Sequence, residues 1–133
     1  MVRFLSDEWI AALDAAATSD EALGALSAGL HLVVEQEVTG SPWGDVRFHV
    51  VVDHGQVHVR PGPAPDPLIR FSQDYATAAA IATGTGSAQR AFMAGRLRVG
   101  GDLRVLLDHV GTFEQLQDVF AAVRSEVVVE EAG

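Results

Sequence analysis

Residues 30–60 carry the clearest hydrophobic pattern of the chain, an alternation in which every second side chain is apolar. It runs through three segments, 30–38, 46–53 and 56–60. Because successive side chains of a strand point to opposite faces, a period of two predicts strands with one apolar and one polar face. The Gly- and Pro-containing segment 39–45 and the dipeptide His54-Gly55 are typical of hairpin loops. We therefore predict a three-stranded antiparallel meander.

The two loops also predict a register. A two-residue loop at 54–55 aligns the second and third strands, and pairing Val38 with Val46 aligns the first two. On the polar face this register gives the cross-strand pairs Glu37–Arg47, Glu35–His49, His31–Asp53 and His49–Arg60. Complementary pairs of this kind contribute roughly 0.2–1 kcal/mol each, and a slip by one residue would turn them into the core. We expect this polar face to be solvated.

Helical patterns lie on both sides of the meander. Ser6 is expected to cap a first helix, and Thr18 with Glu21 has capping-box spacing for a second. The Pro-rich segment 61–67 is predicted to be an extended crossover. It leads to a strand at 68–72, a helix at 73–83 capped by Ser72, a short helix at 87–95 and a strand at 96–100. Two amphipathic helices follow, at 103–110 and from Thr112 onward, where Thr112 and Gln115 have capping-box spacing.

These elements predict an α+β fold: a five-stranded, mostly antiparallel sheet, made of the meander and two later strands, with helices covering one face. The 133 residues suit one domain, which we place at 1–124, with 125–133 as a flexible tail. Hydrophobic residues make up 48% of the chain but aromatic residues only 7%, so the predicted core is aliphatic.

Composition excludes several classes of function. The net charge of −9 and the sequence pI of about 4.8 argue against nucleic-acid binding, which requires a positive surface. The absence of cysteine excludes disulfides, thiolate metal sites and a cysteine nucleophile. No apolar run is long enough for stable membrane insertion, and the first residues have no signal-peptide pattern. We therefore expect a cytoplasmic protein. All nine basic residues are arginine, which suggests a GC-rich bacterial genome.

A set of apolar residues on the later elements forms the main candidate site. We expect them to converge between the sheet and the helices. A set like this usually forms ordinary core, although the Ala-rich helix at 73–83 either packs tightly on the sheet or leaves a void that a ligand fills. The residues are Phe71, Tyr75, Ala79, Phe92, Met93, Leu97, Leu103, Leu107, Phe113, Leu116 and Phe120.

Polar candidates are few. Gln36 lies on the apolar face of the first strand and needs a hydrogen-bond partner, which a ligand headgroup, the backbone or water would supply. Arg90 belongs to a cluster of arginines between 90 and 104 that either binds an anionic headgroup or serves as surface charge. His31, His49 and His58 share the polar face, where a charge ladder is favoured over a metal site. No catalytic residues, metal ligands or cofactors are predicted.

The segment Ala91-Phe-Met-Ala-Gly-Arg-Leu-Arg-Val-Gly-Gly-Asp102 resembles the sterol carrier protein-2 (sterol-transfer) domain family. The resemblance rests on a helix ending at Gly95, a short strand, and Gly101-Asp102 leading into a helix. The helix that begins near Asp74 and the preceding meander extend it over most of the chain.

This resemblance implies a five-stranded sheet with an apolar cavity between sheet and helices. It also implies noncatalytic binding or transfer of a hydrophobic small molecule, such as a fatty acid, an acyl lipid or a sterol-like ligand. Bacterial members also occur fused to enzymes, including mycothiol-dependent isomerases. The alternative is therefore an accessory domain with a closed cavity that serves a partner enzyme. The sequence predicts neither the ligand nor the oligomeric state.

Overall fold

The computed structural model describes residues 2–83, 86–123 and 127–128. Within them, the helices are α1 (Asp7–Ser19), α2 (Glu21–Leu26), α3 (Tyr75–Thr83), α4 (Ala88–Met93), α5 (Leu103–Asp108) and α6 (Val110–Ala122). The strands are β1 (Val2–Arg3), β2 (His31–Ser41), β3 (Gly44–Asp53), β4 (Gln56–Pro61), β5 (Ile69–Asp74), β6 (Leu97–Gly101) and β7 (Val127–Val128).

Five strands form one sheet in the spatial order β4-β3-β2-β5-β6. The pairs β2–β3, β3–β4 and β5–β6 are antiparallel, whereas β2 and β5 are parallel. The predicted α+β fold with a mostly antiparallel sheet is confirmed. The predicted register is confirmed as well, pair by pair: Glu37–Arg47, Glu35–His49, His31–Asp53, Val38–Val46 and His49–Arg60.

The two hairpin loops differ in how well the pattern predicts them. At the β3–β4 turn His54 has φ 49° and Gly55 has φ 90°, the left-handed pair required by a two-residue turn that matches strand twist. The predicted loop 39–45 is shorter than expected, because β2 continues to Ser41 and β3 begins at Gly44. A register irregularity between Val38 and Ser41 allows this extension, and Gly40 there has φ 70°.

Several helix starts differ from the prediction because long-range contacts occupy the expected caps. Ser6 does cap α1, since its hydroxyl accepts the Trp9 N–H at 3.1 Å. Thr18, however, donates to the Val57 carbonyl at 2.8 Å, and Asp20 caps α2 instead. Likewise α6 begins at Val110, and the Thr112 hydroxyl donates to the carbonyl of Leu26.

Helix α1 covers the β2–β3–β4 half of the sheet. Its buried residues are Trp9, Ile10, Leu13 and Ala17. They pack on an apolar face in which the strand residues are almost fully buried, namely Leu32, Val34, Val38, Phe48, Val50, Val52, Val57 and Val59. Edge-to-face contacts of Trp9 with Phe4 (4.9 Å between centroids) and Phe48 (5.3 Å) complete this close-packed layer.

The opposite face is not solvated throughout, and the expectation for Glu35 is wrong. The Glu35 side chain is only 1% exposed. The crossover between β4 and β5 passes over it: the Ala64 N–H donates to Glu35 Oε1 at 2.9 Å, and Arg70 Nε donates to Glu35 Oε2 at 2.7 Å. The same crossover also contacts His49, whose Nδ1 lies 2.9 Å from the Gly62 carbonyl oxygen.

Part of the predicted tail has a strand partner. Val127–Val128 pairs in parallel with Val2–Arg3, which joins the two ends of the described chain in a second, two-stranded sheet. The remaining residues of the predicted tail lie outside the described residues.

Candidate functional site

The β5–β6 half of the sheet presents the same kind of apolar face but a looser cover. Ile69 is fully buried on it, and Leu97 is buried. Phe71 and Val99, which pair across the two strands, are only half-buried. Since Phe48, Val50 and Val52 of β3 and Val57 and Val59 of β4 are buried almost completely, the helical layer is less complete over this half of the face.

Three helices approach this half. From α6, Phe113 meets Phe71 edge-to-face at 6.3 Å between centroids, and Leu116 is buried. From α3, Tyr75 and Ala78 are buried. The half-buried residues that pack against this core are Ala79, Val105, Leu106, Phe113 and Phe120. Helix α5 has no buried residue, and only its Val105 and Leu106 pack against the core.

The structure divides the predicted apolar set into two groups. Residues between the sheet and the helices are Phe71, Tyr75, Ala79, Leu97, Phe113, Leu116 and Phe120. The expected convergence is wrong for the other four residues, which lie at the surface: Phe92 is 53% exposed, Met93 79%, Leu103 47% and Leu107 72%. The reason is that α4 and α5 have six residues each, too few to bury more than one row of side chains.

The two predicted polar anchors lie in different environments. Gln36 is half-buried on the helix-covered face, paired with Phe48 on one side and Phe71 on the other. Arg90 lies near the end of α4 and is exposed. The other arginines of its cluster are exposed as well, namely Arg96, Arg98 and Arg104. Only Gln36 therefore lies beside the apolar face.

Gln73 also lies at this site, although it is not among the predicted site residues, because residues 73–83 are predicted to form a helix. It belongs to β5, which continues to Asp74, and it pairs with Val38 and with Leu97. Its side chain lies on the same face as Phe71, two residues earlier, and its Oε1 is buried without a hydrogen-bond partner among the described residues. The alternation Ile69, Phe71, Gln73 was the available signal.

Asp74 ends β5 and begins α3 in place of Ser72. Its Oδ1 accepts the Thr77 N–H at 2.8 Å. Hydrogen bonds from the Thr77 side chain and then from its backbone N–H lower the pKa of Asp74, with a further contribution from Arg96. Ser72 points to the other face, where its hydroxyl donates to Glu37 Oε1 at 2.9 Å.

Two of the three predicted histidines of the opposite face, His31 and His58, pair with acidic groups, whereas His49 contacts the Gly62 carbonyl. His31 Nδ1 lies 3.4 Å from Asp53, and His58 Nδ1 lies 3.4 Å from Asp14. Hydrogen bonding from His54, followed by that from His31, lowers the pKa of Asp53. In the described part of the chain no group of three or more His, Asp or Glu side chains is arranged to hold a metal ion.

A surface depression of about 330 Å³ lies at the start of α1, lined by Arg3, Ser6, Asp7 and Glu8. None of the predicted site residues lines it, and its charged walls do not suit an apolar ligand. None of the helices within residues 2–83 and 86–123 is both long and apolar enough to span a bilayer.

Comparison with protein-family models assigns the chain to a family. The model of the SCP-2 sterol transfer family matches residues 10–114, which include the whole five-stranded sheet and helices α2 to α5. The chain belongs to the SCP-2 sterol transfer family. The resemblance noted at residues 91–102 is thereby confirmed. No curated protein sequence shows significant similarity to the chain.

Solved structures of SCP-2 proteins share the fold at low sequence identity. A crystal structure of sterol carrier protein 2 superposes with a TM-score of 0.74 at 18% identity, covering 89% of this chain and 97% of that one. A protein from Thermus thermophilus described as possibly a sterol carrier protein gives 0.73 at 18%, covering 98% and 94%. Palmitated SCP2L2 from Aedes aegypti gives 0.56 at 18%, covering 86% and 94%.

Proposed function

We propose that this SCP-2 domain binds and transfers a hydrophobic small molecule, without catalysis, between the β5–β6 half of the sheet and helices α3, α5 and α6. The observation that carries the proposal is the contrast between the two halves of one apolar face. Phe71 and Val99 remain half-buried, whereas strand residues under α1 such as Val50 and Val57 are buried almost completely. A ligand in contact with both would complete the apolar layer, because burial of apolar surface is favourable wherever it occurs.

The side chains of the proposed site are almost all hydrocarbon, with few polar groups. Phe71, Ala79, Phe113, Leu116 and Phe120 are hydrocarbon surfaces, and Gln36 is a polar group within reach of the same face. The buried carboxylate of Glu35 lies on the opposite face of the sheet. Family membership and the palmitated relative support fatty acids and other acyl lipids, or sterol-like molecules, as the class of ligand.

The test is displacement of a fluorescent fatty acid from the purified protein, together with native mass spectrometry for copurified lipid. Val99→Phe fills the half-buried layer and should weaken probe binding at least tenfold. Val51→Phe is the matched control, because Val51 is also a half-buried strand valine but points to the opposite face. Absence of probe binding and of copurified lipid in the wild-type protein would contradict the proposal.

A second function, that of an accessory domain for a partner enzyme, is favoured by a different observation. Phe92, Met93, Leu103 and Leu107 are large apolar side chains left in solvent on the short helices α4 and α5. Exposed apolar residues are common singly but suggest an interaction surface when several occur on neighbouring elements. This function predicts a stoichiometric complex whose formation Met93→Glu and Leu107→Glu prevent, with no lipid bound by the isolated domain.

A further inference from the structure

Oε1 of Gln73 is an unsatisfied polar atom on the helix-covered face of β5, where the ligand is proposed to bind. The atom is buried and has no hydrogen-bond partner among the described residues. Its strand neighbours on the same face, Val38 and Leu97, are buried and apolar and offer no side-chain donor. Buried amide oxygens in native proteins are nearly always paired, so an unpaired one calls for a partner that the described residues do not supply.

The backbone around Gln73 fixes the position of this atom. Gln73 is held between β2 and β6, and its own carbonyl accepts the Thr39 hydroxyl at 3.5 Å. The next residue, Asp74, caps α3 through Thr77. With its backbone held from three directions, Gln73 cannot turn its side chain to the other face without breaking the pairing of β5.

The surroundings restrict the ligand group that would pair with Oε1. On the helix-covered face, β5 and β6 present Ile69, Phe71, Gln73, Leu97 and Val99, none of which carries charge. A carboxylate or phosphate headgroup can accept a hydrogen bond from Nε2 of the same amide, but it leaves Oε1 unpaired, and these strands carry no cation to offset its desolvation. A neutral hydroxyl supplies the missing donor without that cost.

We propose that Gln73 selects the ligand, its Oε1 accepting a hydrogen bond from a hydroxyl group on an otherwise apolar molecule. Gln73 is then a specificity-determining residue, and the ligand class is the neutral lipid alcohols in preference to fatty-acid anions. This assignment rests on the proposed function of the site but goes further, since binding of an apolar molecule alone requires no polar contact.

The test compares 1-hexadecanol with its methyl ether, 1-methoxyhexadecane, as competitors of the fluorescent probe. The two share a hydrocarbon chain, but the ether has no donor. The wild-type protein should bind the alcohol about tenfold more tightly, the ratio expected from one hydrogen bond to an otherwise unpaired group. Palmitate at pH 8 should also bind more weakly than the alcohol. In Gln73→Met the alcohol and the ether should bind equally.

Gln117→Met is the matched control, because Gln117 is exposed on α6 and should keep the tenfold preference. Equal binding of alcohol and ether by the wild-type protein, or a preference that survives Gln73→Met, would overturn the assignment while leaving the proposed function intact. Failure of both competitors and of the probe would overturn the proposed function and this assignment together. If Gln73→Met does not fold, the wild-type comparison of alcohol, ether and palmitate decides.

Discussion

Replacing Glu35 by glutamine measures how much a buried carboxylate contributes to the stability of the fold. The Glu35 side chain is 1% exposed and accepts Arg70 Nε at 2.7 Å and the Ala64 N–H at 2.9 Å. In Glu35→Gln the amide oxygen can still accept the Ala64 N–H, but the amide nitrogen then faces another donor, Arg70 Nε. The substitution therefore removes one charge-assisted hydrogen bond and keeps the shape of the side chain.

The expected loss of stability follows from the exposure of each partner. A hydrogen bond to a charged group contributes about 1.5–3 kcal/mol. Because the Arg70 side chain is 53% exposed, water can solvate its released Nε, which places the expected loss in the lower part of that range, at about 2 kcal/mol. Complete removal of a partner from a fully buried pair would cost about 3–5 kcal/mol, so a value in that range would mean that Arg70 is less accessible than its exposure indicates.

Glu37→Gln is the matched control on the same strand and the same face. The Glu37 side chain is 20% exposed and pairs at 2.7 Å with Arg47, whose side chain is 48% exposed. Such a pair contributes at most about 1 kcal/mol. The free energy of unfolding from urea denaturation at pH 7 measures both variants. If Glu35→Gln costs no more than Glu37→Gln, the argument that the crossover is pinned by a buried carboxylate is refuted.

Three further variants test one helix cap and two glycine positions by the same denaturation assay. Asp74→Ala should cost about 1 kcal/mol at pH 7 through loss of the α3 cap. Since hydrogen bonds from Thr77 lower the pKa of Asp74, this contribution is present above the unfolded-state pKa of about 3.8, and the difference from wild type should shrink as pH falls through the lower folded-state pKa. Gly101→Ala should cost more than about 2 kcal/mol, because its Cβ would overlap the Leu68 carbonyl oxygen at φ 91°. Gly95→Ala, at φ 75° with open space around it, should cost only about 1 kcal/mol, and equal losses at the two glycines would contradict the steric explanation.

The meander register could be predicted because two local signals agree. Alternation assigns each residue to a face, and the left-handed pair at His54 and Gly55 allows only a tight turn between β3 and β4. The resulting cross-strand pairs, such as Glu37 with Arg47, then confirm each other. The turn residues and the alternation of apolar side chains together are therefore sufficient to predict the register of the meander, without any knowledge of distant contacts.

The burial of Glu35 and the strand position of Gln73 could not be predicted in this way. Periodicity places Glu35 on the polar face, but it does not say that residues 62–64 cross that face and cover it. At the end of β5, Ser72 and Asp74 are equally good helix caps by residue type. Pairing of Gln73 with Val38 and Leu97 decides between them, and those partners are distant in sequence.

The sequence predicted correctly for only some of the apolar residues that they lie between sheet and helices. The longer elements β5 and α6 place Phe71 and Phe113 in contact, as their periodicity indicates. Helices α4 and α5 are shorter than two turns, so a pattern of three or four apolar residues fits either face. That ambiguity is the reason why Met93 and Leu107 were assigned to the interior although they lie at the surface.

Helices α1 and α5 differ in how tightly they pack on the sheet, and this difference favours ligand binding under α5. Helix α1 has thirteen residues, buries four side chains on the sheet and is also hydrogen-bonded to β4 through Thr18 and Asp14, so its position is set without a ligand. Helix α5 has six residues and buries none, although Val105 and Leu106 partly contact the core. A helix that short is stable only through tertiary contacts, and a bound apolar molecule would add the contacts that α5 lacks. The part of the fold with the least packing of its own is thus the part in which ligand binding and local stability are most strongly linked.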